Sequence, residues 1–147
     1  MRCITAMAGV RRLLSRGVFW LGAWACWLGL LTWLSSQSHP GPVIAVKNID
    51  KVEHFLYFAG GGVLLGGVLG LWGRREELPV VRLGWNGIAC LVVVIGSLVG
   101  WVDEWHQSFV PGRVGLDLGD WIADTLGSLF GGVAARWVVP RLAAVRR

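Results

Sequence analysis

The chain has 147 residues, of which 54% are hydrophobic and 16% are charged, and its formal net charge is +5 at pH 7. Soluble domains carry about 25% charged residues, so this composition excludes a solvated, disordered chain and exceeds the apolar content that a small soluble core can bury. The length is that of one domain, and Cys3, Cys26 and Cys90 form neither a disulfide framework nor a metal-ligand spacing. We therefore expect a single membrane domain over residues 1–147.

Four apolar segments predict an all-α, polytopic bundle of four transmembrane helices, at about 17–34, 54–73, 85–106 and 120–139. The first segment has 18 residues without a charge, which is enough to cross a bilayer core as a helix. A signal peptide is the alternative for it, because Arg11, Arg12 and Arg16 precede the segment. The apolar run is longer than a usual signal segment and no small-residue cleavage site follows, so we expect a retained helix.

The distribution of Lys and Arg predicts the orientation of this bundle. Eleven of the 14 lie in the N-terminal segment, in the loop at 74–84 and at the C-terminal end. The loops at 35–53 and 107–119 hold only Lys47, Lys51 and Arg113. Because cytoplasmic loops carry the excess of basic residues, both termini are expected in the cytoplasm, and the basic charge does not indicate nucleic acid.

Small residues four apart predict the packed faces of three helices, because they let helix backbones approach closely in lipid. They are Gly62, Gly66 and Gly70, then Gly96 and Gly100, then Gly127 and Gly131. In the first helix Trp20, Trp24 and Trp27 form a stripe at helical spacing, which indicates a face in contact with lipid or with another helix.

Polar residues gather at the predicted outer ends of the helices. Asp103 and Gln107 continue the glycine stripe of the third helix, Asp120 and Asp124 lie on the glycine stripe of the fourth, and His54 begins the second. We therefore expect these helices to direct polar groups at one spot, where charged groups face the bundle or a wet cavity. The candidate ligand-binding cluster comprises Ser36, Gln37, Asp50, Lys51, His54, Asp103, Glu104, Gln107, Arg113, Asp120 and Asp124.

The loop between the third and fourth helices contains Pro111-Gly112 at the centre of four residues, which is typical of a type II turn. Such a turn directs Arg113 back toward the helix ends. Its guanidinium can there pair with Asp103, Glu104 or Asp120, or bind a phosphate or carboxylate with two hydrogen bonds.

Structural alternatives exist for most members of this cluster. The carboxylates and Arg113 can form an internal network that fixes helix register, and Asp117 or Asp120 can cap the fourth helix. His54 can be a hydrogen-bonded structural histidine, and the polar residues after the first helix can simply end it. His39 and His106 have no spacing that implies a metal, so neither a metal nor a cofactor is expected.

Four segments together resemble the VanZ-like family of small bacterial membrane proteins. They are Leu34–Gln37, Asp50–Phe55, Glu104–Arg113 and Asp120–Gly127. The last three match the family patterns D-K-x-x-H-F, E-x-x-Q-x-F-x-P-G-R and D-x-x-x-N-x-x-G in that order, with Asp124 in place of Asn. The resemblance implies a multi-pass protein of the bacterial inner (plasma) membrane in a family linked to glycopeptide (teicoplanin) resistance. It implies no particular reaction.

Two functions are compatible with these residues. The first is binding of an amphiphile, such as a membrane lipid, a lipid-linked cell-wall intermediate or a lipoglycopeptide, at the outer polar cluster. The second is an intramembrane hydrolase or transferase acting on a lipid-linked phosphate, with His54 or a carboxylate as base and Arg113 on the phosphate. The sequence contains no nucleophile elbow, phosphate loop or H-E-x-x-H motif, so we favour binding.

Overall fold

A computed structural model describes residues 13–14, 16–38, 49–72 and 84–143. These residues form four α-helices and no strand: α1 (Gly17–Ser35), α2 (Ile49–Trp72), α3 (Trp85–Gln107) and α4 (Leu118–Ala143). The all-α prediction is confirmed. Arg2, Arg11, Arg12, Lys47, the basic residues at 74–82 and the last four residues of the chain, on which much of the predicted orientation rests, lie outside the described residues, as does His39.

Three of the helices, α1, α2 and α3, are long and apolar enough to cross a membrane. The fourth has 26 residues but does not reach the same apolar content. The helices expose large apolar side chains on their outer surfaces, for example Leu56 at 63%, Leu98 at 61% and Phe130 at 61%. Such a surface is unfavourable in water and suits a bundle that lipid surrounds.

Two of the predicted helices extend beyond their predicted bounds. The second helix begins at Ile49 rather than at residue 54, and the fourth extends over Leu118–Ala143 rather than 120–139. The apolar content of the sequence falls where charged residues begin, but the backbone stays helical beyond that point. Asp50 and Lys51 lie in the first turn of α2 and bond to each other at 3.0 Å, which lets charged residues occupy the helix end.

Glycine contacts hold α2 and α4 at backbone distance. A Cβ atom at Gly127 or Gly131 would collide with the backbone carbonyl oxygens of Phe55 and Ala59. On α3, Gly96 lies against Ser128 of α4 in the same way. The predicted inward faces of these three helices are confirmed, and α4 packs between α2 and α3.

The tryptophan stripe of α1 packs against α2. Trp20 is buried at 3% exposure, and a Cβ atom at Gly67 would collide with its ring. Trp27 Nε1 donates to the Tyr57 carbonyl at 3.1 Å, while the Tyr57 hydroxyl donates to the Trp27 carbonyl at 2.9 Å. The stripe is therefore a helix-packing face, the second of the two alternatives that the sequence left open.

Candidate functional site

A group of polar side chains lies at one end of the bundle, where α2 and α4 begin and α3 ends. Its four acidic members on α3 and α4 are all buried, with exposures between 0% and 8%. We call it the polar cluster; its residues are Ser35, Lys51, His54, Asp103, Glu104, Gln107, Asp117, Asp120 and Asp124. Because a buried carboxylate is costly without partners, the partner of each oxygen is informative.

Asp103 has a donor on each oxygen. The Ser35 hydroxyl donates to Oδ1 at 2.5 Å, and Gln107 Nε2 donates to Oδ2 at 2.8 Å. The bond from Ser35 joins the end of α1 to α3. Both oxygens of this carboxylate therefore have a hydrogen-bond donor, as is expected of a group that fixes helix register.

Lys51 links α2 to the start of α4. Its ammonium group bonds to Asp120 at 2.8 Å, to Asp50 at 3.0 Å and to Asp117 at 3.1 Å. The other oxygen of Asp117 accepts from the Gly119 backbone N–H at 2.7 Å, so the predicted cap of the fourth helix is confirmed at this residue. The Lys51 hydrogen bond holds the pKa of Asp117 below its usual value.

His54 and Glu104 are each held on one side. His54 Nδ1 lies 2.9 Å from Asp124 Oδ1, and because an ionised carboxylate can only accept, the hydrogen belongs to Nδ1. Glu104 Oε2 accepts from the Asp117 backbone N–H at 2.8 Å. The contacts of Lys51 and His54 join α2 to α4, and the Glu104 contact joins α3 to the residue before α4, so residues of the three helices meet as the helical spacing predicted.

Two carboxylate oxygens in the cluster have no partner. Glu104 Oε1 and Asp124 Oδ2 make no hydrogen bond within the part of the chain that the structure describes, and both residues are 0% exposed. The ordinary rule is that buried polar atoms are paired, and exceptions mark a strained or functional position. These two atoms are the first indication that the cluster does more than join helices.

The loop before α4 has the predicted type II turn. Gly112 has φ +80° and the Arg113 N–H donates to the Val110 carbonyl at 3.1 Å. Arg113 Nε is buried without a partner, and within the described residues its guanidinium makes no ion pair. The predicted pairing with a carboxylate is therefore not formed, and the alternative, an anionic ligand, stays open.

Ser36 and Gln37 do not belong to the polar cluster, contrary to prediction. The Ser36 hydroxyl donates to the Thr32 carbonyl at 2.6 Å and Gln37 Nε2 donates to the Trp33 carbonyl at 2.9 Å, so both bond to the backbone of their own helix. Their role is to end α1, the alternative that the sequence had offered.

Ser35 is the residue of α1 that reaches the cluster. The stripe Trp20, Trp24 and Trp27, continued at helical spacing, passes through Leu31 and ends at Ser35. Leu31 and Ser35 are both buried, so the periodicity carried the signal that would have selected Ser35 over its two neighbours.

A groove of about 520 Å³ separates α1 from α3. Its walls are apolar apart from Thr32, Asp103 and His106, which lie toward the polar end of the bundle. A Cβ atom at Gly22 or Gly29 of α1 would meet nothing within 4 Å among the described residues, so these glycines make no close contact with α3 like those that join α2 to α4. Asp103 belongs both to the groove and to the polar cluster, which makes the two continuous.

His54, Glu104 and Asp120 each offer a ligand atom within 4.8 Å of the other two. One residue comes from each of α2, α3 and α4. Their separations along the chain are too long to form a recognisable metal motif, which is why the sequence did not indicate this arrangement.

The site is therefore a buried carboxylate cluster with unpartnered oxygens, a free guanidinium and an adjoining apolar groove, carried by a helical bundle. Comparison of the chain with protein-family models, with curated proteins and with solved structures finds no match.

Proposed function

We propose that the chain is a multi-pass protein of the bacterial plasma membrane that binds an amphiphile at the polar end of the bundle. Four helices cross the membrane in this proposal and both termini are cytoplasmic, in agreement with the 11 basic residues assigned to that side against three on the other. The resemblance to VanZ-like proteins adds the context of the cell envelope and of glycopeptide resistance.

The surface of α4 supports its assignment as the fourth spanning helix. Leu126, Phe130 and Trp137 are 50%, 61% and 49% exposed and form an apolar outer surface. Asp120 and Asp124, which lower the apolar content of the helix, are buried against its neighbours. A spanning helix can carry such residues where they face the bundle interior.

One observation carries the binding proposal: the groove between α1 and α3 is continuous with the polar cluster through Asp103. Its volume of about 520 Å³ is that of a small-molecule site, and its apolar length suits an acyl chain. A ligand that fills both parts must have an apolar tail and a polar head group, which is the definition of an amphiphile.

Arg113 is the residue that we assign to the head group. A Cβ atom at Gly112 would lie 3.5 Å from the Ser38 carbonyl, so the turn that carries Arg113 lies beside the end of α1, at the polar end of the groove. A planar guanidinium binds a phosphate or carboxylate with two parallel hydrogen bonds. A membrane lipid, a lipid-linked cell-wall intermediate and a lipoglycopeptide all combine such an anion with an apolar tail.

Native mass spectrometry of the protein purified in mild detergent tests the proposal. The unmodified chain is expected to retain a lipid. Leu98→Trp fills the groove and should abolish retention, whereas Val94→Trp, one turn away on α3 and outside the groove, should not. Equal retention by both variants would show that the groove is not the site.

Arg113→Lys tests the head group. The substitution keeps the charge but removes the planar fork, so retention of an anionic lipid should fall by about tenfold, the loss of one charged hydrogen bond. The melting temperature should not change, because Arg113 forms no ion pair within the described residues. A parallel loss of stability and retention would instead assign Arg113 to the structural network.

The second candidate, an intramembrane hydrolase or transferase, has one observation in its favour. His54 is oriented by Asp124 at 2.9 Å, as a general base is in many active sites. An enzyme should release phosphate from a lipid-linked diphosphate and should lose that activity with His54→Gln. A binding protein releases none.

A further inference from the structure

We propose that His54, Glu104 and Asp120 form a binding site for a divalent metal ion at the buried base of the polar cluster. This site is separate from the groove and from Arg113, and it does not depend on the identity or the existence of an amphiphile.

The three side chains already converge. One ligand atom from each lies within 4.8 Å of the other two. A first-row metal ion keeps its ligand atoms at about 2.0–2.2 Å, so that neighbouring ligand atoms lie about 3.4 Å apart. Each side chain must therefore move by less than about 1 Å to coordinate an ion, which rotation about the side-chain bonds supplies.

Each of the three residues is held through one polar atom and keeps another for a ligand. His54 Nδ1 bonds to Asp124, which leaves Nε2; Glu104 Oε2 accepts from the Asp117 N–H, which leaves Oε1. Asp120 Oδ1 accepts from Lys51, which leaves Oδ2. Metal sites have this outer layer of hydrogen bonds, because it fixes the tautomer of the histidine and orients the carboxylates.

The unpartnered oxygens point to a cation. Glu104 Oε1 is buried and makes no hydrogen bond, and the residue is 0% exposed. Asp124, the residue that orients His54, also has a buried oxygen, Oδ2, that makes no hydrogen bond within the described residues. A network that only joins helices gains nothing from leaving these oxygens unsatisfied, since a buried charged group without hydrogen bonds is costly.

The charge balance supports the same conclusion. Four carboxylates, on Asp103, Glu104, Asp120 and Asp124, are buried together. Lys51 contacts one of them, Asp120, and shares its ammonium group with the more exposed Asp50 and Asp117, while His54 contacts Asp124. Asp103 and Glu104 contact no basic side chain within the described residues. A bound dication offsets the excess negative charge.

The donor set selects the class of metal. Imidazole nitrogen suits zinc and other first-row transition metals, and carboxylate oxygen suits manganese and the harder ions. A site with one nitrogen and two carboxylates therefore favours Zn²⁺ or Mn²⁺ over Mg²⁺ and Ca²⁺, which take oxygen ligands. Three protein ligands leave a coordination position for water or for an anionic group. The His54 side chain is 20% exposed, which gives an ion a route from the surface.

Calorimetric titration of the chelator-treated chain in lipid-free detergent, with ZnCl₂ or MnCl₂ alone, tests the site. We expect one ion per chain, a melting temperature that rises with metal concentration, and no comparable binding of Mg²⁺. A visible absorption band with Co²⁺ would report coordination directly. Absence of stoichiometric binding by the unmodified chain overturns the proposal whatever the variants do.

The variants locate the ion. His54→Gln, Glu104→Gln and Asp120→Asn should each weaken binding by at least about 100-fold, and Asp124→Asn, which removes only the residue that orients His54, by about 10–100-fold. Glu53→Gln changes a carboxyl group at the same end of the bundle, on an exposed residue outside the three ligands, and should bind as the unmodified chain does. Binding that survives in the first three variants, or that is lost equally in this control, contradicts the assignment. The metal titration contains no lipid, so its result does not depend on whether native mass spectrometry finds a retained lipid.

Discussion

The glycine contacts between α2 and α4 and the polar cluster at the end of the bundle both hold helices together, but by different means. Along α2 and α4, the contact is backbone against backbone, and Gly127 and Gly131 leave no space for even one added carbon. In the polar cluster the helices are joined by side chains such as Lys51 and His54, and Glu104 and Asp124 keep oxygens without partners.

The difference separates stability from function. Close backbone approach gives dispersion contacts, through which helices associate in lipid. These contacts require no charged group, and they do not accommodate a larger side chain. Buried charges with unmade bonds reduce stability, and a fold keeps them where something else uses them. Cohesion of the bundle is therefore expected to depend on the glycines, and the proposed binding on the cluster, and three predictions test this division.

The largest expected effect is at Gly131. Gly131→Val places a branched side chain against the Ala59 carbonyl, so α2 and α4 must separate. We expect destabilisation of about 3 kcal/mol or more and little folded protein after size-exclusion chromatography in detergent. Gly60→Ala is the matched control, because a Cβ atom there meets nothing within 4 Å. Normal folding of Gly131→Val would remove the basis for the comparison.

Substitution of two neighbouring carboxyl groups should change the free energy of unfolding by smaller amounts, and in opposite directions. Asp103→Asn turns an amide donor toward Ser35 or Gln107, which already donate to that group, and should cost about 1–3 kcal/mol. Glu104→Gln removes a buried charge from an oxygen that has no donor while keeping the acceptor for Asp117. It should raise stability by about 1 kcal/mol in the presence of a chelator. Thermal melts of both variants measure the two signs, and a loss in both would make the whole cluster structural.

The smallest effect concerns Asp117 and pH. Its pKa is lowered by the Lys51 hydrogen bond, so its contribution to stability is present above the unfolded pKa, near 4, and is lost as pH falls through the lower folded value. Asn at this position can still cap α4 but cannot pair with Lys51. Asp117→Asn should therefore melt slightly below the unmodified chain at pH 7, and the gap should close as the solution is acidified below pH 4. A gap that stays constant with pH would exclude the ion pair as its cause.

Periodicity predicted the faces of the helices because only two kinds of residue can face the interior of a lipid-surrounded bundle. Glycines such as Gly62 and Gly131 permit contact, and charged residues such as Asp120 must avoid lipid. Both recur at helical spacing, so the sequence carries the inward direction of each helix. The sequence does not predict the start of α2 correctly. Charged residues such as Asp50 and Lys51 are expected in the loop, but both lie in the first turn of the helix.

The groove and the convergence of His54, Glu104 and Asp120 could not be predicted from the sequence. Both depend on distances between helices, which are set by tilt and by contacts elsewhere in the bundle. The stripe of α1 gave its packed face against α2 but no measure of its separation from α3. Likewise, residues 54, 104 and 120 are far apart in the sequence, and they form one group only because the ends of three helices lie side by side in the fold.

The composition of α4 has a consequence for how the protein is assembled. Asp120 and Asp124, in the first two turns, weaken independent partition of this helix into a bilayer, because a carboxylate in a spanning helix is costly, up to about 2.5–3.5 kcal/mol at the bilayer centre and less toward the interface. In the proposed topology α2 and α3 precede it in the chain and already present Lys51, His54 and the glycine faces. Insertion of α4 and its docking between them are then one event, so the membrane integration of this helix is also the step that closes the polar cluster.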